Sequence, residues 1–118
     1  MEKILTIENK QIGFKSSASF LLKYRSYFGE DGLKDIGKLS KYSEEGNFNA
    51  IIIMQRIIWC LAKTYNKKIA PLEDWLDCFE EFETAEVFSE LEPLILKSFG
   101  TKKKTNEDTE ASEDNEKN

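Results

Sequence analysis

Residues 49–66 read NAIIIMQRIIWCLAKTYN, and this stretch decides the fold. Ile51, Ile52, Ile53, Met54, Ile57, Ile58, Trp59, Leu61, Ala62 and Tyr65 leave a narrow polar stripe. Asn49, Arg56 and Lys63 form it, spaced by sevens so that they stack along one side of a helix. A helix apolar nearly all round is either a central core element or a membrane span. Gln55, Arg56 and Lys63 interrupt the run well short of the ~20 apolar residues a span requires. The stretch therefore predicts a central helix over 48–65 with the other elements packed around it. Asn47 or Asn49 is placed to cap its start, and Asn66 marks its end.

Upstream, residues 4–15 (ILTIENKQIGFK) predict a β-hairpin. Leu5 and Ile7 alternate with Thr6, Ile12 and Phe14 alternate with Gly13, and Glu8-Asn9-Lys10-Gln11 supplies a polar turn. A lone hairpin is marginal in water, so its apolar face should lie on a helix. Ser16 or Ser17 then opens a helix over 17–28, with Phe20, Leu21, Tyr24, Tyr27 and Phe28 at helical period and Gly29 as its C-terminal stop. A short helix over 31–39 carries Leu33, Ile36 and Leu39. Gly32 and Gly37 each weaken it by roughly 1 kcal/mol against Ala, so packing must hold it. Tyr42 to Asn47 reads as a polar loop.

Downstream, Pro71 is suited to a first helical position, and a helix over 71–82 has a clear apolar stripe of Leu72, Trp75, Leu76, Phe79 and Phe82. A last helical segment over 84–99 carries Val87, Phe88, Leu91, Leu94, Ile95 and Phe99. Pro93 predicts a kink or break near Glu92, and Gly100 ends the segment. Residues 101–118 (TKKKTNEDTEASEDNEKN) hold Ala111 as their single apolar side chain and predict a disordered charged segment. The expected fold is thus one α+β domain over residues 1–100. It is predominantly helical, with the hairpin packed on a bundle of about four to five helices around the central one.

The chain of 118 residues carries a net charge of −5, unevenly placed. Residues 1–68 hold 12 Lys/Arg against 7 Asp/Glu, whereas residues 69–100 hold one Lys against nine acids. Duplex affinity is built from Lys and Arg neutralising phosphates, so no nucleic-acid partner is expected, nor a membrane one. The asymmetry suits a basic protein partner, or equally two halves that complement each other. Cys60 and Cys78 lie among apolar residues and are expected to be reduced, buried and cytosolic; no export signal is evident. With no histidine, two thiolates cannot complete a zinc shell without carboxylate help, and the usual general base is missing. The acids of residues 73–92 match a solvated helix face better than a calcium loop. No catalytic residue, metal or cofactor is expected. Trp59, Trp75, Phe79, Phe82 and Phe88 serve either as core or as interface anchors, the core being the commoner use of such periodicity.

Two stretches carry a more specific likeness: KILTIENKQIGFKSSASFLLKYRSYFGEDGLKDIGKL (3–39) and PLEDWLDCFEEFETAEVFSELEPLI (71–95). Gly13-Phe14-Lys15, Tyr24-Arg25, Phe28-Gly29, Asp31, Leu33-Lys34-Asp35-Ile36, Trp75-Leu76 and Phe79 carry it. Together they resemble the tail assembly chaperones of long-tailed bacteriophages and prophages of Gram-positive hosts, over about residues 3–99. These are fold-shaping residues rather than a catalytic signature. The resemblance implies a non-enzymatic protein of the bacterial host cytoplasm that binds the tape measure protein, keeps it soluble while the tail tube assembles, and is absent from the virion. It also implies a longer, frameshifted form that recruits tail tube protein. Lys102, Lys103 and Lys104 are the candidate frameshift region, with a plain charged segment the equal alternative.

A chaperone for helical segments needs an apolar groove with a polar rim. Trp75, Phe79, Phe82, Phe88 and Leu91 are the candidate partner-binding residues, with an acidic rim favouring a Lys-rich partner. On that reading Phe82→Glu or Phe88→Glu abolishes binding and leaves the fold intact. The rival reading is a small cytosolic regulatory protein, such as an antitoxin or prophage regulator, using the same surface. An oligomer is compatible with either.

Overall fold

The structure, a computed structural model, describes residues 1–100. The charged segment expected over 101–118, and with it Lys102, Lys103 and Lys104, lies outside the described residues. A hairpin of β1 (Glu2–Ile7) and β2 (Lys10–Lys15) precedes six helices: α1 (Phe20–Phe28), α2 (Gly32–Glu44), α3 (Asn49–Tyr65), α4 (Leu72–Leu76), α5 (Thr84–Glu90) and α6 (Glu92–Ser98). This is the α+β, mainly helical class expected. Among the described residues no helix is long and apolar enough to cross a membrane.

The central helix α3 buries Ala50, Ile53, Met54 and the continuous run Ile57 to Ala62. Elements β2, α1, α2, α4 and α5 all pack against it. Removing Ile57, Ile58 or Leu61 from water contributes roughly 1.5–3 kcal/mol each, which makes α3 the main source of packing stability. Its polar stripe is used rather than left in solvent. Arg56 Nη1 reaches Asp35 Oδ2 at 3.4 Å, and Lys63 Nζ donates to Ile69 O at 3.0 Å. At the start of α3, Asn47 Oδ1 accepts the Asn49 N–H at 2.9 Å, as expected of a capping asparagine.

The hairpin is tighter than its polar turn suggests. Glu8 and Asn9 alone form the turn, with φ of 51° and 68°, and the strands pair from Ile7↔Lys10 to Glu2↔Lys15. Two consecutive left-handed residues are what a two-residue type I′ connection demands. At Gly13 the ring of Tyr65 stands where a Cβ would be, so β2 meets the end of α3 only because that side chain is missing.

Three element boundaries differ from expectation. Helix α1 starts at Phe20 rather than 17, because the Ser17 side chain and carbonyl take the N–H groups of Ser19 and Phe20 in a turn, while the Ser17 N–H donates to Ser98 Oγ. Helix α2 runs on to Glu44 rather than 39, because Leu39 and Tyr42 pack against the core and carry the helix past its glycines. The helix expected over 71–82 ends at Leu76, and a hairpin side chain takes the N–H groups of Glu80 and Glu81 beyond it. The segment expected over 84–99 divides at Leu91 into α5 and α6, at the break that Pro93 predicts.

Candidate partner-binding groove

Glu8 lies at the tip of the hairpin with a side chain in solvent, yet it organises the acidic half of the chain. Its Oε1 accepts the N–H of Glu80 at 2.9 Å and its Oε2 accepts the N–H of Glu81 at 2.7 Å. These bonds, with the one to Glu81 foremost, hold the Glu8 carboxyl below its usual range. Beside it, Lys10 Nζ donates to Cys78 O at 3.0 Å and lies 5.3 Å from the Phe79 ring centroid. A helix continuing to 82 needs the N–H groups of Glu80 and Glu81 pointed back along its own axis. Glu8 takes them instead, and the chain leaves α4 early. Cys78 consequently turns outward and is exposed, against the expectation of two buried cysteines, with its Sγ 3.7 Å from Asp74 O. Cys60 is buried in α3, and burial pushes its thiol up to about 12, so it stays protonated and unreactive at neutral pH.

The other end of β1 is tied down by Lys3. Its Nζ donates to Glu90 O at 3.1 Å and to Glu90 Oε1 at 3.4 Å, at the C-terminal end of α5 where a cation is favoured. Helix α5 and the segment before it thus run alongside β1, clamped at both ends and parted between. The space between them is an open groove of about 400 Å³. Leu5, Ile7 and Val87 form its apolar surface, and Glu8, Glu81, Glu83, Glu86 and Glu90 bring five carboxylates to it. Glu86 and Glu90, four apart, lie on one side of α5, and Glu83 stands just before its first residue.

The aromatic candidates lie elsewhere. Leu91, Trp75 and Phe79 are 0 %, 6 % and 8 % exposed and belong to the core, while Phe82 and Phe88 are half-buried and pack against it. Trp75, Phe79 and Phe82 form a mutual cluster with centroids 5.3–5.6 Å apart. Trp75, Phe79 and Leu91 are therefore turned into the core rather than onto a groove, while Phe82 and Phe88 keep part of their surface outside it. The groove beside β1 takes only Val87 and the acids from that half of the chain. Leu5 and Ile7, which line it, read in the sequence simply as the inner face of a hairpin.

A second polar cluster is closed. The Tyr24 hydroxyl donates to Asp35 Oδ2 at 2.6 Å, and Arg56 reaches the same oxygen while its guanidinium lies 5.5 Å from the Phe28 ring centroid. Burial, then the bond and the charge of Asp35, hold the Tyr24 phenol well above its ordinary range. Tyr24 is fully buried and Asp35 nearly so, so this cluster joins α1, α2 and α3 from within. Among the described residues no three His, Cys, Asp or Glu side chains are grouped to hold a metal ion. No protein-family model, curated protein or solved structure matches the chain. The groove is accordingly read from its own chemistry.

Proposed function

We propose that this chain is a tail assembly chaperone of a bacteriophage or prophage, acting without catalysis in the cytoplasm of the bacterial host. Its partner is the tape measure protein, held soluble until tail tube subunits enclose it. The observation that carries the reading is the open groove between β1 and α5, apolar along Leu5, Ile7 and Val87 and bordered by glutamates. An apolar strip with a charged border favours binding over self-association, because like charges keep copies apart while a basic segment is drawn in. The likeness of residues 3–39 and 71–95 to that family names the partner. A longer, frameshifted form would add contact with tail tube protein.

Co-expression with the tape measure protein of the same gene cluster tests the proposal. The partner is expected to be soluble only when this chain is present, and the two to co-purify. Unchanged partner solubility with no co-purification would move the regulatory reading, an antitoxin or prophage regulator, ahead.

A further inference from the structure

The register of the hairpin decides which main-chain groups of β1 are engaged. Ile7 and Lys10 flank the two-residue turn and so form its closing hydrogen-bonded pair. Counting back by twos, Leu5 and Lys3 also turn their N–H and C=O groups toward β2. The Ser16 N–H donates to Met1 O at 2.9 Å, continuing the same phase one pair further. Glu2, Ile4 and Thr6 therefore present their main-chain groups on the opposite edge, and among the described residues the sheet has no third strand there. Among the described residues no main-chain hydrogen bond reaches Ile4 or Thr6 from outside the hairpin. No proline or bulge, two of the features that normally blunt an edge, interrupts β1.

This open edge borders the acidic groove: Leu5, Thr6 and Ile7 line it opposite Glu83, Glu86 and Glu90. We propose that the outer edge of β1 takes up an extended lysine- or arginine-rich segment of a partner protein as a third strand. The main chain of that segment pairs with Ile4 and Thr6, and its cationic side chains reach the α5 glutamates. Strand addition draws affinity from main-chain hydrogen bonds and selectivity from alternate side chains, and the groove's carboxylates outside the two clamps, those of Glu81, Glu83 and Glu86, select cations. A second copy of this chain is the wrong occupant. Pairing β1 with β1 would bring two glutamate-bordered grooves together. The inference rests on the groove being the partner surface and assigns the form in which the partner enters.

The test is titration of the full chain against a short fluorescent peptide alternating lysine and valine, at low salt. Thr6→Pro removes an outward N–H and leaves the β1–β2 ladder its own bonds. It is expected to weaken binding about tenfold or more, as is the pair Glu83→Lys and Glu86→Lys. A peptide N-methylated at every residue, which has no N–H donor left on either edge, is titrated against the unaltered chain to repeat the test without touching the fold, and it is expected to bind as poorly. Equal binding of plain and N-methylated peptides would overturn strand addition and leave charge alone. Tighter peptide binding by a chain with Lys102, Lys103 and Lys104 changed to Glu would overturn the partner assignment in favour of the chain's own lysines. Failure of tape measure co-purification alongside the expected peptide results would sink the chaperone reading and leave the edge standing.

Discussion

Tyr24 and Asp35, eleven residues apart in sequence, meet inside the domain through a 2.6 Å hydrogen bond from the phenol to the carboxylate. The bond pins α1 to α2, and Arg56 brings α3 to the same oxygen. A buried carboxylate depends on such partners, because water cannot replace them. Tyr24→Phe is expected to cost about 1–3 kcal/mol, and Asp35→Ala, which strands both the phenol and the guanidinium, about 3 kcal/mol or more. Urea unfolding of the two variants measures both. A loss below the range of a surface substitution at Asp35 would contradict the role given to this cluster.

Alkaline pH should destabilise the fold through Cys60. The folded thiol holds its proton up to about 12, whereas the unfolded thiol ionises near ~8.5. Between those values the unfolded chain binds fewer protons, so stability is flat below the lower one and falls as pH rises. Tyr24, also held above its ordinary range, adds to the fall from about pH 10 upward. Denaturant midpoints measured across this interval should decline in the natural chain, and less steeply in Cys60→Ala. Equal slopes would show the thiol to be uninvolved.

The clamp at Glu8 should be visible in amide hydrogen exchange. The N–H groups of Glu80 and Glu81 are expected to be protected in the natural chain and to exchange freely in Glu8→Ala. Because the folded carboxyl sits below its usual range, the clamp is fully present above ~4.3 and is lost as pH falls through the folded value. Protection that survives in Glu8→Ala would mean that another group holds the acidic segment.

Much of this architecture was legible because its causes are local. The apolar run of α3, the alternation of the two strands, Gly29 after α1 and Pro93 in the first turn of α6 each act within a few residues. The early end of α4 was not legible, since it depends on a carboxylate 72 residues upstream at Glu8. The apolar stripe of 72–82 does meet the core, but through a turn rather than a continuous helix. The one cue was weak: Glu8-Asn9 between two apolar runs marks a tight turn, and a glutamate there is unusual enough to suggest that its side chain is engaged. Asp35 gave no sign of burial, because an acid in a first helical turn normally faces water. The groove itself arises from two segments nearly eighty residues apart: the alternation of Leu5 and Ile7 and the spacing of Glu83, Glu86 and Glu90 were each visible, but not that they face each other.

Phe82 separates core from interface. Its contacts with Trp75 and Phe79 mean that Phe82→Glu should destabilise the domain by about 3 kcal/mol or more, rather than merely abolish binding. Leu22→Glu, at a position 75 % exposed, should stay within about 0.5 kcal/mol of the natural chain. Thermal unfolding of both variants tells the difference, and a fully stable Phe82→Glu protein would restore this residue to the list of surface anchors.

The most direct measurement is co-purification of the tape measure protein with the natural chain and with a Glu83→Lys, Glu86→Lys variant whose unfolding midpoint is unchanged. Partner retained by the first and lost from the second, at least at low salt, is the predicted result. Equal retention by both would contradict the assignment of the β1–α5 groove as the partner-binding surface.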